Sequence, residues 1–287
     1  MKCISFITLV LLLSSCKGGL ELIVPEYAPG INSEIPLTYS EKLNLSYGKN
    51  IFQSYDLYLP ATRNTRNPVI VLLHQGAWRI GDKSTINFMV RSLIDKRVNC
   101  AIINANYRLT SSVGITYKEQ VDDINTLLKK LKGQSDSLKI SSNFLLVGVS
   151  AGGHLAMLYA NSPDGDRLAK GVAGIVPPVD LTSPFMYDGP IKSDVQKLIG
   201  KPFSSTTLQE YFRASPVFQF NYGSPPMIVF FGGKDETVPL DQSEICRKMF
   251  LLSQMKNEYV FYPDQSHNWN AWDETINKII TFAEKNL

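Results

Sequence analysis

Few residues in this sequence are suited to binding metal or forming disulfides. Its 287 residues include only four cysteines and three histidines, and the cysteines lack metal-ligand spacing. The formal net charge of +3 is too small to indicate nucleic acid or an anionic membrane as a partner. Internal repeats and low-complexity tracts are absent, which excludes repeat architectures. The length and the 44% hydrophobic content suit one large globular domain or two small ones.

The apolar run Ile4–Leu13 is too short to span a bilayer. It follows Lys2 and ends in the letters LSSC, which resemble a bacterial lipoprotein signal whose cysteine carries a diacylglycerol. We therefore expect a signal peptide over residues 1–15, lipidation of Cys16, and a lipidated N-terminus and tether over residues 16–40. The expected location is the bacterial cell envelope, lipid-anchored at the outer membrane or cell surface. A plain secretory signal on a secreted or periplasmic protein is the alternative.

Two cysteines remain in the body of the chain. Cys100 lies in a predicted strand and Cys246 in a predicted helix. A disulfide between them is possible in an oxidising compartment, and two buried free thiols are equally compatible with the sequence.

Predicted strands and helices alternate from about Leu43 to the C-terminus. Val69–Leu73 is a continuous apolar run typical of a buried strand, and Lys118–Leu131 has apolar residues at helical spacing. This alternation predicts an α/β fold with a mostly parallel central sheet and helices on both faces. We assign residues 41–287 to one domain. Its segment from about 180 to 222 breaks the alternation and is predicted to be a small cap insertion.

A serine flanked by glycines follows one of these strands. Residues 148–152 read GVSAG and fit Gly-x-Ser-x-Gly between a predicted strand and a predicted helix. Glycines two positions before and after Ser150 permit a turn so sharp that other side chains would clash. The hydroxyl then stands at the top of the sheet, beside the positive end of the next helix. Ser150 is therefore a candidate nucleophile; the alternative is a serine that only caps the helix.

A serine nucleophile needs a base near neutral pH, and only three histidines are available. His267 lies on a loop after the last predicted strand, from which it can meet Ser150 side-on. His154 is one turn into the helix that follows Ser150 and is held away from the serine, while His74 follows the Val69–Leu73 strand. We predict His267 as the base, and assign His154 to packing or hydrogen bonding and His74 to fixing its loop.

The base in turn needs an acid that holds its tautomer. Asp235 directly follows another apolar strand, in the segment FGGKDETVP. The order Ser150, Asp235, His267 matches the nucleophile–acid–histidine order of one large fold. A turn aspartate is the alternative for Asp235. The competing carboxylates are Glu236, Asp241 and Asp264.

An anion site is also predicted. Residues 74–78 read HQGAW and follow a strand, so the N–H groups of Gly76 and Ala77, with that of Ala151, are placed to surround an oxyanion. Taken alone, the same segment is compatible with an ordinary strand-end turn.

These motifs resemble the hormone-sensitive-lipase-like branch of the α/β-hydrolases, close to bacterial carboxylesterases and carbohydrate-acyl esterases whose motif reads His-Gly-Gly-Ala-Trp. The resemblance runs from about Asp56 to the C-terminus and includes NYRL at 106–109, QVDD at 120–123 and SAGGHLA at 150–156. It implies the α/β-hydrolase fold and carboxylic-ester hydrolysis without a metal or organic cofactor. It assigns the nucleophile, acid, base and oxyanion donors to Ser150, Asp235, His267 and to Gly76, Ala77 and Ala151.

Gln75 departs from the family pattern, which has glycine there. If this position needs a positive φ, glutamine is strained there. Two alternatives follow: the oxyanion loop is shifted, or Gln75 points a polar group at the substrate. Trp78 and Trp269 are further candidate substrate-binding residues, as sugar or aryl platforms or as packing residues. The expected partner is a small-molecule or oligosaccharide ester.

Other functions share these features. An amidase, formamidase or peptidase of the same fold uses the same acyl-transfer step. A surface lipoprotein that binds a ligand without chemistry is a second alternative, favoured only by Gln75. A lipase is a third, because the cap segment is rich in phenylalanine.

Overall fold

The computed structural model describes residues 31, 37–162 and 166–287, so the predicted signal peptide and Cys16 lie outside the described residues. Across the described residues, one eight-stranded sheet has the order β1-β2-β4-β3-β5-β6-β7-β8. Strand β2 is antiparallel to β1 and β4, and the remaining neighbours are parallel. The prediction of a mostly parallel α/β-hydrolase sheet is confirmed. The strands are β1 (Tyr39–Ser46), β2 (Ser54–Pro60), β3 (Val69–Leu73), β4 (Ile102–Ala105), β5 (Phe144–Val149), β6 (Ala169–Ile175), β7 (Met227–Gly232) and β8 (Asn257–Tyr262).

Helices connect the parallel strands, and two 3₁₀ turns cover Lys83–Ile86 and Pro216–Gln219. The α-helices of the described residues are α1 (Asn87–Asp95), α2 (Tyr117–Gly133), α3 (Ser135–Leu138), α4 (Ala151–Asn161), α5 (Pro184–Asp188), α6 (Lys192–Ile199), α7 (Leu208–Arg213), α8 (Leu240–Ser253) and α9 (Trp272–Asn286). None of the helices in this part of the chain is long and apolar enough to cross a membrane.

Strand β3 shows why the sheet is covered on both faces. All five of its side chains are buried, and successive side chains of a strand point to opposite faces. Val69, Val71 and Leu73 join a core cluster with residues of α2 and α4. Ile70 and Leu72 join a second cluster with residues of α1 and α9. Each buried aliphatic side chain contributes about 1.5–3 kcal/mol, so both helical layers are held by hydrophobic burial.

The start of α2 is defined by a capping box. The Thr116 side chain accepts a hydrogen bond from the first turn, and the Glu119 carboxylate accepts one from the Thr116 N–H at 2.8 Å. The helix then buries Ile124, Leu128 and Leu131 against the core. The fixed start of α2 matters for the site, because Gln120 projects from this first turn.

The segment between β6 and β7 contains only the short helices α5, α6 and α7 and a 3₁₀ turn. An ion pair at 2.6 Å joins Asp194 of α6 to Arg79 in the loop after β3. This segment, residues 180–222, is called the cap below.

Three residues of the segment assigned to a tether, residues 16–40, are attached to the folded domain. Strand β1 begins at Tyr39, two residues before the boundary placed at 41, so Tyr39 and Ser40 belong to the sheet rather than to a tether. Ile31 is buried, and its carbonyl accepts a hydrogen bond from the Asn99 N–H at 2.6 Å. The hydrophobic side chain and the backbone bond both attach this residue to the domain.

Cys100 and Cys246 are both buried free thiols. Burial raises the pKa of each thiol above its ordinary value. The free-thiol interpretation is confirmed, and both side chains act as small apolar groups in the core.

Candidate active site

Ser150 stands on a strained turn between β5 and α4. Its backbone has φ 50° and ψ −116°, and its N–H donates to the Ile175 carbonyl at 2.7 Å. A Cβ at Gly148 would lie 2.3 Å from the Gly152 carbonyl, and a Cβ at Gly152 would lie 2.3 Å from the Leu73 oxygen. Only glycine fits at either position, so the two glycines hold the serine at the end of the sheet.

The structure brings Ser150, His267 and Asp235 into one hydrogen-bonded chain. His267 Nε2 lies 3.0 Å from Ser150 Oγ, and His267 Nδ1 lies 2.8 Å from Asp235 Oδ2. Because the carboxylate can only accept, Nδ1 carries the proton and Nε2 is free to accept from the serine hydroxyl. This is the geometry that a nucleophile, a base and an orienting acid require; the catalytic roles themselves stay predictions.

The Asp235 carboxylate is held in place by its own loop. Its Oδ1 accepts hydrogen bonds from the Thr237 N–H at 2.9 Å and the Val238 N–H at 2.7 Å. Its Oδ2 is left for His267. The Lys234 N–H also donates to the Gln265 carbonyl at 2.9 Å, so the loops that carry the acid and the base are joined directly.

The competing carboxylates have other environments. Asp264 is exposed and forms an ion pair with Lys234 at 2.7 Å. Asp241, at the start of α8, accepts a hydrogen bond from the Ser183 hydroxyl. Glu236 is exposed. Asp235 is the carboxylate that meets the His267 ring.

The loop of residues 74–81 supplies the candidate oxyanion donors. Positive φ angles occur at Gly76 (127°), Ala77 (48°) and Trp78 (61°). The Gly76 carbonyl accepts from the Arg79 N–H at 3.1 Å and the Ile80 N–H at 3.0 Å. Among the described residues, no acceptor bonds to the N–H of Gly76 or Ala77. These two groups are therefore free to donate to a ligand.

The strain expected at Gln75 is located elsewhere. Gln75 is not among the residues with positive φ, whereas Ala77 and Trp78 are, so the suggestion of a strained glutamine is wrong. The positive φ angles begin at Gly76, in the turn that closes onto the Gly76 carbonyl. Gln75 Oε1 is buried without a hydrogen-bond partner among the described residues. Gln75 therefore keeps its place as a candidate substrate-binding residue.

A buried network supports the 74–81 loop, and two of its members, Tyr107 and Gln120, had no individual role in the sequence interpretation. Tyr107 Oη donates to the His74 carbonyl at 2.8 Å, and Gln120 Nε2 donates to the Trp78 carbonyl at 2.8 Å. His74 Nδ1 donates to the Gln75 carbonyl at 2.6 Å, and its ring stacks on Tyr107. This confirms that His74 fixes its loop. The signal available in the sequence was the family-like NYRL and QVDD segments, which contain Tyr107 and Gln120.

An ion pair fixes the segment around Arg108, which is part of the same network. Arg108 lies 2.6 Å from the fully buried Asp123, which also accepts from Gln53 Nε2 at 2.7 Å. Gln120 Nε2 bonds the Arg108 carbonyl at 2.7 Å as well. Helix α2 therefore holds the Arg108 segment and the 74–81 loop together.

Trp78 is a core residue, which corrects its assignment to the substrate. Its side chain is 1% exposed, and Nε1 donates to His154 Nδ1 at 3.1 Å. His154 Nε2 donates to the Ala214 carbonyl at 2.7 Å, which confirms the packing and hydrogen-bonding role of His154. Burial lowers the pKa of His154 to about 4, so the ring is neutral near pH 7.

The prediction that Trp269 is a substrate platform is also wrong. It is 5% exposed, and Nε1 donates to Thr275 Oγ1 at 2.9 Å. Its ring meets Tyr262 edge-on at 5.3 Å. A buried ring with its N–H satisfied presents no face to a sugar.

Within the described residues, no group of three or more His, Cys, Asp or Glu side chains is placed to hold a metal ion. The polar groups hydrogen-bonded in a chain with Ser150 are an imidazole and one carboxylate, and the N–H groups of Gly76 and Ala77 in the 74–81 loop have no acceptor among the described residues. Such a set can move a proton from a hydroxyl and stabilise an oxyanion.

Comparisons with known proteins identify the family of the chain. The BD-FAE family model matches residues 55–250, more than half of the chain. A Mycobacterium tuberculosis protein described as the probable carboxylic ester hydrolase LipM is 26% identical over 257 residues, which cover 82% of this chain and 57% of LipM. Kynurenine formamidase of Salmo salar is 23% identical over 120 residues, 42% of this chain and 38% of the formamidase.

Among solved structures, a truncated carbohydrate esterase from gut microbiota aligns with a TM-score of 0.73 and 18% identity, covering 89% of this chain and 99% of that one. The likeness shows the fold. The chain spans less than two thirds of the curated relatives named above. From the family match, the assembled site and the sheet, we conclude that the chain belongs to the BD-FAE family, in the hormone-sensitive-lipase-like branch of the α/β-hydrolases.

Proposed function

We propose that this protein is a serine carboxylic-ester hydrolase that acts through a covalent acyl-enzyme. The observation that carries the proposal is the chain of hydrogen bonds from Ser150 through His267 to Asp235. The free N–H groups of Gly76 and Ala77 in the 74–81 loop support it. The names of the relatives, which include carboxylic ester hydrolase and esterase, agree with this reaction.

In the first half-reaction, Ser150 Oγ attacks the ester carbonyl while its proton passes to His267 Nε2. The imidazolium is stabilised by Asp235 Oδ2, 2.8 Å from Nδ1. The negative charge develops on the former carbonyl oxygen, where N–H groups of Gly76, Ala77 and Ala151 can donate. Each such donor typically contributes about 3 kcal/mol to lowering the barrier. The bond to the alcohol oxygen then breaks, and the proton on Nε2 passes to the departing alcohol.

In the second half-reaction, water replaces the alcohol. His267 Nε2 takes a proton from the water, and the resulting hydroxide adds to the acyl carbonyl. The second oxyanion uses the same N–H donors. The bond to Ser150 Oγ breaks, the proton returns to that oxygen, and the carboxylic acid leaves.

The proposed substrate is a small or carbohydrate-linked acyl ester. The carbohydrate esterase and a bifunctional GH43-CE protein of Bacteroides eggerthii, with a TM-score of 0.72, share this fold and are named for sugar-directed activities. A lipid anchor at Cys16 and a cell-envelope location would expose the enzyme to such esters outside the cytoplasm. With Trp78 and Trp269 buried, Gln75 in the 74–81 loop is the remaining candidate for contacting the substrate.

The test is hydrolysis of p-nitrophenyl acetate by the protein and by its Ser150→Ala variant. We expect activity that the substitution removes while the folded structure, followed by circular dichroism, is retained. A folded parent without activity would overturn the proposal and favour the non-catalytic binding protein. Acetylated xylan, assayed alongside simple aryl esters, tests the carbohydrate part; hydrolysis of the aryl esters alone would reject it.

A formamidase or related amidase is the second candidate, favoured by the match to kynurenine formamidase. The same three side chains serve both reactions, because acyl transfer to serine is the shared step. A matched ester and amide with one acyl group separates the two activities. A higher kcat/KM for the amide would favour the second candidate.

A further inference from the structure

A groove of about 740 Å³ lies away from Ser150, between α2, the second half of α4 and the α7 end of the cap. Its floor includes Leu158 and Tyr159. Leu158 is eight residues beyond Ser150, which corresponds to about 12 Å along the axis of α4. The groove is not lined by Ser150, Asp235 or His267. Its volume is within the range of about 300–1,000 Å³ that is typical of ligand sites.

Aromatic rings form much of its apolar surface. Phe212 and Phe218 of the cap meet edge-on, with centroids 4.7 Å apart. Phe218 is 38% exposed although it is a large apolar side chain. Tyr117 of α2 and Tyr159 of α4 also line the groove, but both are buried, so Phe218 and the partly buried Phe212 are the rings open to a ligand. These two phenylalanine rings, beside the polar side chains of the groove, are suited to a ligand that has both apolar faces and polar edges.

The polar groups of the groove have unused hydrogen-bonding and charge capacity. Lys118 and Arg213 both line it, and neither forms a salt bridge with any described residue. The one carboxylate in the lining, Asp122, lies 3.6 Å from Arg108. Gln219 Nε2 donates to the Arg213 carbonyl at 2.6 Å, whereas its buried Oε1 has no partner among the described residues. The groove therefore offers two cations without a salt bridge to the described residues, and one buried acceptor, Gln219 Oε1, without a hydrogen-bond partner among them.

This combination favours one class of ligand. A sugar ring has apolar faces that stack on aromatic rings and hydroxyl groups that donate to an amide oxygen. A carboxylate on the sugar would pair with Arg213, whose guanidinium matches carboxylate geometry, and with Lys118. A purely apolar ligand would make no use of the two exposed cations, whereas an anionic sugar would pair with them.

We propose that this groove is a second binding site, for an acidic oligosaccharide that carries uronic acid. Binding there would hold a polymer on the enzyme while Ser150 acts on an ester elsewhere on it; this consequence rests on the proposed function, whereas the binding itself does not. The groove is open, so an extended chain can enter and leave it from the side.

The test is isothermal titration of the full chain carrying Ser150→Ala with a xylo-oligosaccharide that bears glucuronic acid. Its neutral counterpart is titrated as the matched ligand. We expect measurable binding of the acidic sugar, and weakening of at least about tenfold for Arg213→Ala and for Phe218→Ala. The neutral sugar should bind more weakly than the acidic one. The Arg213→Ala substitution should reduce this difference in affinity between the two sugars.

Two control variants separate the groove from the general surface. Phe261→Ala removes an aromatic ring of similar exposure, 39%, on β8, and Lys49→Ala removes an exposed cation in the β1–β2 turn. Both should bind like the parent. Absence of binding, equal weakening by the controls, or equal affinity for the two sugars would overturn the proposal. Hydrolysis of p-nitrophenyl acetate by the protein that retains Ser150 tests the proposed function separately. The Arg213→Ala and Phe218→Ala substitutions should leave this hydrolysis unchanged.

Discussion

Trp78 Nε1 donates a hydrogen bond to His154 Nδ1 at 3.1 Å, which ties the 74–81 loop to the helix that follows the candidate nucleophile. The opposite ring nitrogen donates to the Ala214 carbonyl at the end of α7. An indole N–H can only donate and a carbonyl can only accept, so only the neutral ring with its proton on Nε2 satisfies both partners. One imidazole thus joins the loop, the nucleophile helix and the cap.

Replacing His154 by leucine should destabilise the protein and disturb the loop. The Trp78 N–H and the Ala214 carbonyl would each lose their partner in the core, at a cost of about 1–3 kcal/mol per group. Urea unfolding of His154→Leu, Trp78→Phe and the double variant measures the coupling between the two side chains. Purely additive free energies of unfolding would contradict a direct interaction. A lower kcat with little change in KM would show that the loop positions the oxyanion donors.

The same residue predicts a pH dependence of stability. Burial lowers the pKa of His154 to about 4 from the ordinary 6.5. Between these values the unfolded chain binds more protons, so the free energy of unfolding falls as the pH falls, by about 1.4 kcal/mol per pH unit for this group. Burial also lowers the pKa of His74, which acts in the same direction.

Urea unfolding at about pH 7 and about pH 5.5 tests this, in a range where most carboxylates stay ionised. The parent should be less stable at the lower pH, and His154→Gln should show a smaller loss. An identical loss in parent and variant would show that His154 does not titrate as its burial requires.

Asp235→Asn should lower kcat strongly without unfolding the protein. The amide is nearly isosteric but cannot hold the His267 tautomer in which Nε2 accepts from Ser150, and in comparable triads this costs about 10⁴-fold. Hydrolysis of p-nitrophenyl acetate provides the measurement. Asp264→Asn is the matched control, because Asp264 is exposed and pairs with Lys234. Similar activities for the two variants would reject Asp235 as the acid.

Gly152→Ala should abolish activity and lower stability. The added Cβ would lie 2.3 Å from the Leu73 oxygen, a backbone atom that cannot rotate away, so the turn that carries Ser150 must shift. Gly133→Ala is the control: a Cβ there meets nothing within 4 Å, and alanine favours the helix. Thermal unfolding and esterase assays of both variants provide the comparison. An active, stable Gly152→Ala protein would show that the close approach to β3 is not needed.

The order of strands and helices could be predicted from the sequence because each element has a local pattern. Val69–Leu73 is apolar throughout since both faces of β3 are covered, and α2 has its apolar stripe and its capping box within the helix itself. The positions of Ser150, Asp235 and His267 were predictable for a related reason. Each follows a recognisable strand, and the ends of parallel strands meet at one edge of the sheet.

Trp78 and Trp269 show what local sequence patterns cannot predict. An aromatic residue beside a catalytic motif has the same letters whether it faces a ligand or the core. Trp78 lies in the core, where its N–H donates to His154, 76 residues away. Trp269 is buried with its ring against Tyr262 of β8 and its N–H donating to Thr275 of α9. The groove beside Phe218 was equally hidden, since three separate segments form it.

The sequence alone therefore determined the alternating elements, the sharp turn at Ser150 and the order of the candidate triad, because backbone sterics and hydrophobic periodicity act between near neighbours. The tertiary structure alone decided how closely the predicted triad side chains approach one another, how the 74–81 loop is supported, and which aromatic rings stay exposed. Those outcomes depend on pairs such as Ser150 and His267, 117 residues apart, whose meeting is set by the packing of whole elements.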